Sequence, residues 1–514
     1  MNARSRINRI LKNRIVLLDG ATGTELQKQG MPSGACPEFW ALHNPVGMAK
    51  IHRAYKDAGS DIVYTCTFGG NRLKLNQYGL KNITETNRRL AEIAKKAVGG
   101  KTLVAADIGP TGHFVEPFGD LPFEDAVDIY KEQIHGLIDG GVDLLIIETM
   151  LDIQETRAAL IAAKELSDIY TIVTMTFETN GRTLNGTDPL AALITLQSLG
   201  ADAVGCNCST GPETMNTFIA AMKPYAKVPL AAKPNAGLPR VVDGVTCFDM
   251  TPLTFAEQAS RMAETGAGFI GGCCGTTPDH IRELKKALAG RPAVAPVCKS
   301  TSAVSSAAKA RIFSQSDPLV IVGERINPTG KKDLQQELLA GKYSLVRRMA
   351  KDQEQAGADL LDVNIGVPNI DEQETIRDIV HLLSTVTELP LVIDSSDIDT
   401  IATALRLYPG RALINSISGE PDKIERLLPL AAKYGAMFIL LPMTGKILPE
   451  TAEKRIAIIR DIFKKAQAYG FTKEDIVVDG LVMTVASDPA APVATTQTIE
   501  WCTRTFGCRT IVGL

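Results

Sequence analysis

The feature that most constrains this fold is a regular alternation of short apolar runs with longer stretches of helical periodicity. Eight such runs occupy positions 15–18, 61–65, 103–106, 144–147, 172–176, 203–206, 229–232 and 269–271. Strands that alternate with helices form right-handed βαβ units, so the pattern predicts a parallel sheet. Eight units favour a closed (β/α)8 barrel, although a doubly wound open sheet would show the same alternation.

Polar side chains at the ends of these runs strengthen the interpretation as a barrel. They are Asp19, Thr67, Asp107, Glu148, Glu178, Asn207 with Cys208, Asn235, and Cys273 with Cys274. In a (β/α)8 barrel the carboxyl ends of the strands form the active-site face. We therefore expect these groups to meet at one mouth.

A different composition separates the first series of strands from a second one. Residues 290–317 are rich in Pro, Ser and Ala and are predicted to form a linker. Seven further apolar runs follow at 319–323, 360–363, 391–393, 412–414, 437–441, 476–478 and 510–514. An eight-fold barrel without its last strand would have open edges, so we interpret the sequence as a fragment of a longer polypeptide.

The predicted fold is thus α/β, with two TIM-type (β/α)8 barrels in tandem. The first barrel is expected at residues 1–289, and the second at residues 318–514, truncated at its C-terminal end. These boundaries leave residues 290–317 as the linker.

Composition excludes several classes of partner. The 55 basic and 58 acidic residues give a formal net charge of −3, so neither nucleic acid nor a membrane surface is an expected partner. No apolar run approaches the roughly 18 residues of a membrane span. Ten cysteines in 514 residues are too sparse for a disulfide scaffold, which indicates a reducing compartment. We expect a cytoplasmic enzyme.

Three cysteines follow the sixth and eighth runs, Cys208 in GCNCS and Cys273 with Cys274 in GGCCGT. Neighbouring residues on a strand point to opposite faces, but the flanking Gly272 and Gly275 allow the backbone to leave the strand. Both sulfurs could then face one point. Three thiolates around an open fourth position suit a catalytic Zn²⁺ that binds an incoming thiol as a nucleophile.

Two other interpretations of these cysteines remain open from chemistry alone. They could be buried small apolar residues, or Cys273 and Cys274 could form a strained vicinal disulfide. Cys206 should point away from Cys208. Packing roles are predicted for Cys36, Cys66, Cys247, Cys298, Cys502 and Cys508, and structural or solvated positions for His113 and His280.

Segments at nearly every strand end resemble the homocysteine S-methyltransferase domain family, from about residue 15 to 288. They are DGATGTE at 19–25, TCTF at 65–68, DIGPTG at 107–112, ET at 148–149, GCNC at 205–208, PNAG at 234–237 and GCCGT at 272–276. The resemblance implies that Cys208, Cys273 and Cys274 bind Zn²⁺, which binds the homocysteine sulfur. It also implies that homocysteine's amino and carboxylate groups are held by Glu148 and by the loop of Asp19, Gly20, Ala21 and Thr22. The amide of Asn235 would lie near the metal.

The second series carries acids and amides at its strand ends, with almost no lysine. The glycine-containing segment GERINPTG at 323–330 lacks the Lys-Ser/Thr pair of a phosphate-binding loop. Asp362, Asn364, Asp394 and Asn415 suit a neutral, donor-rich heterocycle such as a pterin, whose amidine-like edge pairs with a carboxylate. Helix capping is the alternative for any one of them.

From about residue 320 onward, the chain resembles the pterin-binding domain shared by methyltetrahydrofolate methyltransferases and dihydropteroate synthases. The methyltransferase branch implies that Asp394, Asn415 and Asp479 contact the pterin and that Glu324 and Asn327 line the same mouth. The family has a further asparagine near N5 of the folate, at a position beyond Leu514.

The order of the two domains resembles the N-terminal half of the cobalamin-dependent methionine synthase family. It implies methyl transfer from 5-methyltetrahydrofolate through cobalamin to zinc-activated homocysteine, giving methionine and tetrahydrofolate. Because the chain has no Asp-x-His-x-x-Gly corrinoid motif, we expect a missing C-terminal domain or a separate protein to supply cobalamin.

Two alternatives to this reaction stay open. The first barrel could use a sulfonium or betaine methyl donor. The second could then be a folate-binding module or a dihydropteroate-synthase-like one, which Lys331 and Lys332 weakly permit.

Overall fold

The structure is a computed structural model that describes residues 2–242, 245–296, 301–314, 319–445, 448–483 and 491–513. The chain divides into two compact units, Met1–Lys299 and Ser300–Leu514. Among the described helices, none combines the length and the apolar character required to cross a membrane.

The described part of the first unit contains ten strands. They are β1 (Val16–Leu17), β2 (Ile62–Tyr64), β3 (Leu103–Ile108), β4 (Leu144–Met150), β5 (Thr171–Met175), β6 (Ala203–Asn207), β7 (Leu230–Lys233), β8 (Arg240–Val242), β9 (Val245–Cys247) and β10 (Ala267–Ile270). Strands β8 and β9 form a separate antiparallel hairpin, and the other eight form one parallel sheet in the order β1-β10-β7-β6-β5-β4-β3-β2. The backbone N–H of Asp61 donates to Leu17 O at 2.8 Å, which joins the two ends of the sheet. The predicted barrel is confirmed, with a strand at each of the eight predicted positions.

Helices surround this barrel. They are α1 (Ala3–Asn13), α2 (Gly23–Lys28), α3 (Pro37–His43), α4 (Pro45–Ala58), α5 (Arg72–Leu75), α6 (Ile83–Val98), α7 (Phe123–Asp139), α8 (Ile153–Leu166), α9 (Pro189–Ser198), α10 (Pro212–Met222), α11 (Pro252–Thr265) and α12 (Pro278–Ala287). Local sequence explains several of their starts. At α9, for example, the Asp188 side chain accepts from the N–H of Ala191 and Pro189 occupies the first turn.

Helix α1 fills the amino-terminal end of the barrel. Ile7 is fully buried in one cluster with Val16 and Phe269, and Leu11 packs against that cluster. Arg4 on the polar face of α1 pairs with Asp202. The basic N-terminal segment is therefore an amphipathic cover for the bottom of the barrel.

The second unit contains nine described strands and seven α-helices. The strands are β11 (Ser302–Ser305), β12 (Ala310–Phe313), β13 (Val322–Ile326), β14 (Leu360–Asn364), β15 (Leu391–Asp394), β16 (Leu413–Ile417), β17 (Met437–Leu440), β18 (Ile476–Asp479) and β19 (Arg509–Ile511). The helices are α13 (Lys332–Leu339), α14 (Ser344–Gln355), α15 (Glu372–Val386), α16 (Ile398–Leu407), α17 (Leu428–Tyr434), α18 (Ala452–Gln467) and α19 (Ala491–Glu500). Strands β13 to β19 form a parallel sheet in chain order, so the described residues build a seven-stranded open barrel, as predicted.

The structure differs from the predicted linker at residues 301–313, where β11 and β12 form an antiparallel hairpin. Val304 and Phe313 of this hairpin belong to the core cluster of the second unit, at the amino-terminal end of its sheet. The buried guanidinium of Arg411 donates from Nη1 to Ala303 O at 2.8 Å. The sequence did not predict this hairpin, because its Ser- and Ala-rich composition is typical of a linker. Its small residues are buried by tertiary contacts that the local sequence does not show. Residues 297–300 and 315–318 of the predicted linker lie outside the described residues.

Candidate functional site

Three thiols converge at the carboxyl ends of β6 and β10. The sulfur atoms of Cys208, Cys273 and Cys274 all lie within 4.8 Å of one another. The Sγ atoms of Cys208 and Cys274 are 3.8 Å apart. All three side chains are partly exposed and are free thiols in the structure. The sulfurs therefore meet at one point, as the sequence pattern requires for a metal site.

The backbone leaves both strands just before the thiols. Cys208 has φ of 63°, which turns the chain immediately after β6, and its N–H donates to Lys233 O at 3.1 Å. Gly275 has φ of 79°, a left-handed conformation that glycine adopts without strain. At Gly272 a Cβ would collide with the side chain of Thr276, so only glycine fits there.

Two asparagines hold the thiol cluster in place. The Oδ1 of Asn207 accepts from the N–H of Thr149 and from Thr174 Oγ1, both at 2.8 Å, and its Nδ2 lies 3.9 Å from Cys273 Sγ. Asn235 Oδ1 accepts the N–H of Cys274 at 3.1 Å. The predicted Asn235 thus lies beside the cluster, whereas Asn207 was recognised in the sequence only as a strand end.

The thiols control one another's ionisation. Hydrogen bonds from Cys273 and Cys274 lower the pKa of Cys208, whereas the bond to Cys208 raises the pKa of Cys273 to about 11. The pKa of Cys274 is likewise raised by its bond to Cys208. Three adjacent thiolates therefore need a cation to coexist. Soft sulfur donors of this kind fit zinc rather than calcium or magnesium.

The thiols open onto a cavity of about 1080 Å³. Of the residues predicted to bind homocysteine, Gly20, Ala21, Thr22 and Glu148 line this cavity with the cysteines. Asp19 is only 2% exposed and lies behind the cavity wall. The structure therefore places the predicted residues around one site but separates Asp19 from its surface.

A buried lysine that sequence reasoning missed lies beside these acids. Lys233 Nζ is 3.3 Å from Asp19 Oδ1, 3.6 Å from Glu148 Oε2 and 3.5 Å from the centre of the Tyr64 ring. Asp107 lines the same cavity. The only sequence signal for Lys233 is its position after the seventh apolar run, immediately before the PNAG segment.

Burial and mutual repulsion dominate the electrostatics of this cluster. Burial raises the pKa of Glu148 to about 7 against the opposing effect of Lys233. Burial and the nearby Glu148 raise the pKa of Asp107 as well. For Lys233, burial opposes the charged form, but the surrounding carboxylates raise its pKa above the ordinary value.

A second buried acid supports the loop after β3. Glu155 Oε1 accepts from the N–H and the hydroxyl of Thr111, both at 2.6 Å, and from the Tyr130 hydroxyl at 2.9 Å. Thr111 and His113 on this loop line the cavity. Glu155 therefore fixes one wall of the site from helix α8, which sequence spacing alone does not reveal.

The remaining cysteines and histidines lie outside the thiol cluster. Cys36, Cys66, Cys206, Cys502 and Cys508 are buried, although Cys36 and Cys66 also line the large cavity. His280 Nε2 contacts Met250 O at 3.0 Å at the start of α12, and His113 is solvated. Cys298 and the side chain of Cys247 lie outside the described residues.

The second unit has its own polar mouth. Asp394 and Asn415 line a cavity of about 250 Å³. Asp394 Oδ2 accepts from Asn364 Nδ2 at 2.9 Å, and Asp362 Oδ1 accepts from Asn415 Nδ2 at 3.1 Å. These bonds link the ends of β14, β15 and β16.

The other residues predicted to bind folate lie at the same ends of other strands. Glu324 is exposed within β13 and the half-buried Asn327 follows the last residue of that strand, with Asn327 Nδ2 3.4 Å from Glu324 Oε1. Asp479 ends β18, and its Oδ1 accepts the N–H of Leu481 at 2.8 Å. The predicted set therefore shares one face of the sheet, but Asp394 and Asn415 alone among the five line the described cavity.

Two further residues shape this mouth. Burial and the nearby Asp394 raise the pKa of Asp362 to about 7, and its Oδ2 has no hydrogen-bond partner among the described residues. Lys423, in the π-helical turn Lys423–Leu427, lines the cavity, and its Nζ lies 3.4 Å from Ser396 O. Lys423 was missed because it lies several residues beyond β16.

The first unit is a (β/α)8 barrel. The carboxyl ends of its strands bring together three converging thiols and a buried cluster of acids. The profile of the homocysteine S-methyltransferase family matches residues 16–288, and that of pterin binding enzymes matches residues 323–514. The chain belongs to the homocysteine S-methyltransferase family.

Two methionine synthases align with almost the whole chain. Methionine synthase from Mycobacterium leprae is 31% identical over 507 residues, and methionine synthase from Mycobacterium tuberculosis is 30% identical over 503 residues. Each alignment covers 93% of this chain and 42% of the relative, so the chain spans about two-fifths of their length. The metallated crystal structure of the homocysteine methyltransferase MmuM from Escherichia coli aligns with 55% of this chain and 98% of that one, with 23% identity and a TM-score of 0.47.

Proposed function

We propose that this chain carries the two substrate-binding modules for methyl transfer from 5-methyltetrahydrofolate, through cobalamin, to homocysteine. The products would be methionine and tetrahydrofolate. The observation that carries the proposal is the convergence of three thiols in a homocysteine S-methyltransferase barrel that is followed by a pterin-binding segment. The similarity to two methionine synthases supports the same reaction.

The thiol cluster would hold Zn²⁺ through Cys208, Cys273 and Cys274. Bound zinc would take up the homocysteine sulfur at its remaining position and keep that sulfur deprotonated at neutral pH. The fit of the metal rests on three sulfurs within 4.8 Å of one another. Asn207, whose amide oxygen is already engaged, directs its N–H group toward Cys273 and would support the charged sulfur.

The cavity beside the thiols would bind the amino-acid part of homocysteine. Gly20, Ala21 and Thr22 form the wall that we assign to the carboxylate, and the Thr24 hydroxyl in that wall has no partner among the described residues. Glu148 is suited to an ammonium group. Orientation of the substrate by these groups would aim its sulfur at the thiol cluster.

The second unit would bind the pterin of the folate at its polar mouth. Asp362, Asp394, Asn415 and Asp479 offer carboxylate and amide oxygens to the donor-rich edge of a pterin. Asp362 supports this role because a buried oxygen without a donor is costly unless a ligand supplies one.

Cobalamin would come from another region of a longer polypeptide or from a separate corrinoid protein. It supplies a strong nucleophile for the methyl group of the folate and then a good methyl donor for the thiol. We assign this chemistry to the cytoplasm, since a site built from free thiols requires reducing conditions.

The test is an anaerobic assay with the zinc-loaded chain, homocysteine and free methylcobalamin, followed through the corrinoid spectrum. We expect loss of the methylcobalamin bands, no loss after zinc chelation, and no loss with Cys274→Ala. Cys502→Ala, which removes a buried thiol from the second unit, is the matched control and should behave as wild type. An unchanged spectrum with zinc-loaded protein would contradict the proposal and favour a sulfonium or betaine donor.

A further inference from the structure

Thr276 lies between the two loops that the proposed function assigns to the metal and to the amino-acid end of the substrate. They are the cysteine turn, residues 272–275, and the substrate loop, residues 19–22. The Thr276 side chain is fully buried, and a Cβ added at Gly272 or at Gly20 would collide with it. Both loops are therefore in close contact with this one side chain.

The hydroxyl of Thr276 also bridges the two loops by hydrogen bonds. It donates to the backbone carbonyl of Cys273 at 2.7 Å and accepts the backbone N–H of Ala21 at 3.1 Å. Because a hydroxyl is one donor and also an acceptor, both bonds can be made at the same time. The hydroxyl thereby fixes the Ala21 backbone relative to the backbone of a cysteine that is assigned to the metal.

Tyr55 holds the substrate loop through the other backbone group of Ala21. The Tyr55 hydroxyl donates to Ala21 O at 2.6 Å and lies 3.4 Å from Thr276 O. Its side chain is only 1% exposed, and its ring would also collide with a Cβ at Gly20. With both of its backbone groups engaged, Ala21 loses little further conformational freedom when a ligand binds.

A fixed spacing between these loops matters for a thiol amino acid. Such a substrate has two attachments, its sulfur at the cysteines and its amino-acid end at the substrate loop. Once the first attachment is made, the second is intramolecular, and its strength depends on how well the spacing of the two sites matches the substrate. The short side chain of homocysteine leaves little room for a mismatch.

We propose that Thr276 is a positioning residue that sets the spacing between the metal-binding cysteines and the substrate loop. This role rests on the proposed function, from which it takes the assignment of both loops. Thr276 itself does not line the cavity, so it acts through Cys273 and Ala21 rather than by contact with a ligand. An alkyl thiol makes only the first attachment and should not depend on this spacing, whereas homocysteine should.

Calorimetric titration of the zinc-loaded chain with L-homocysteine and with propanethiol tests this role. Thr276→Val keeps the shape of the side chain but can neither donate nor accept a hydrogen bond. We expect the ratio of the homocysteine affinity to the propanethiol affinity to fall about tenfold, which is what two ordinary hydrogen bonds contribute. Zinc content and propanethiol affinity should stay within about twofold of wild type. Thr276→Ser keeps the hydroxyl and should restore most of the ratio.

The outcomes separate this role from a merely structural one. An unchanged ratio in Thr276→Val, or a failure of Thr276→Ser to restore it, would overturn the inference and leave the proposed function intact. Parallel losses of zinc, propanethiol and homocysteine binding would also overturn it, because they indicate general destabilisation. A zinc-loaded wild-type chain that does not bind homocysteine would instead contradict the proposed function itself.

Thr498→Val is the matched control in the second unit. Thr498 is fully buried, and its hydroxyl donates to Ala494 O at 2.7 Å. The substitution therefore removes an equally buried hydroxyl that bonds a backbone carbonyl. The ratio of the two affinities should stay as in wild type, and an equal fall in this control would refute the role of Thr276.

A second variant decides the question if Thr276→Val does not fold. Tyr55→Phe removes only the phenolic oxygen and its bond to Ala21 O. Since this change frees the same loop, the ratio should fall severalfold, with zinc content unchanged. An unchanged ratio in Tyr55→Phe would overturn the inference.

Discussion

The two barrel mouths are built on the same kind of scaffold but carry different functional groups. In the first unit, the ring of strands is closed, and its mouth combines soft thiols with almost fully buried charges. In the second, the sheet is open, and its mouth consists of acids and amides that are mostly half-buried or exposed. The residues that follow each strand set the chemistry of each mouth, and the two mouths belong to separate units. Changes at one mouth should therefore leave the other unaffected.

The largest expected effect is at the thiol cluster. Cys274→Ala removes one of three sulfurs and should lower zinc affinity by more than about a hundredfold, because even an outer partner of a metal site contributes about 10–100-fold. Metal analysis after dialysis measures the loss, and homocysteine binding should disappear with it. Folate binding should stay at the wild-type level. A full zinc complement in this variant would refute the ligand assignment.

A smaller loss is expected when the support of the thiols is removed. Asn207→Ala deletes the amide that contacts Cys273 and bonds Thr149, and should weaken zinc binding by about 10–100-fold. Competition with a chromophoric chelator gives the affinity. Asn364→Ala removes an equivalent strand-end amide from the second unit, and zinc affinity should not change. An effect of equal size in both variants would indicate general destabilisation.

At the second mouth, we expect smaller effects, because each substitution removes a single interaction with the pterin. Asp479→Asn should weaken methyltetrahydrofolate binding by about 1–3 kcal/mol, since a carboxylate that pairs with a pterin edge loses its charge. Fluorescence titration measures this, with zinc content as the internal control. Unchanged folate affinity would exclude Asp479 from the binding site.

The smallest effect is a pH dependence confined to the second unit. Asp362 has a pKa of about 7 because of burial and the nearby Asp394 and Glu324, while Asn415 donates to it. Its raised pKa means that the free folded unit binds the proton more tightly than the unfolded chain, so this group's contribution to stability falls as pH rises from about 4 to about 7. Pterin binding should change in the opposite direction and strengthen severalfold through pH 7, as the carboxylate forms.

Asp362→Asn tests that dependence. In the wild-type protein, the rise in folate affinity should fall within about one pH unit of the raised pKa of Asp362. The variant should show no such rise between about pH 6 and pH 8. Titrations across this range, with buffer ionic strength held constant, provide the comparison. A persistent rise in the variant would assign the dependence to another group.

Periodicity and strand ends predict the architecture and the thiol cluster because both depend on local signals. All eight predicted strands of the first unit occur, and the glycines beside Cys273 and Cys274 mark the turn that brings the sulfurs together. The carboxyl ends of parallel strands meet by geometry, so residues far apart in sequence can be grouped without a structure.

Other features depend on tertiary contacts that have no local signal. Lys233 looks like an ordinary strand-end residue until its distances to Asp19 and Glu148 are known. Whether Asp19 faces the cavity or lies behind its wall is a matter of side-chain packing, which periodicity does not encode. Lys423 reaches the second mouth only through a π-helical turn. Hydrogen-bond partners and unsatisfied oxygens therefore required the structure.

The hairpin of β11 and β12 has a practical consequence for dividing the protein into separately expressed domains. Arg411 is buried and donates to Ala303 O at 2.8 Å and to Asp475 Oδ1 at 2.7 Å. Expression from residue 318 would delete Ala303 and Val304. Arg411 would then lose one hydrogen-bond acceptor, and the apolar core residues that Val304 covers would be exposed to water. Expression from residue 300 keeps the hairpin and should give the more soluble and heat-resistant fragment of the second unit.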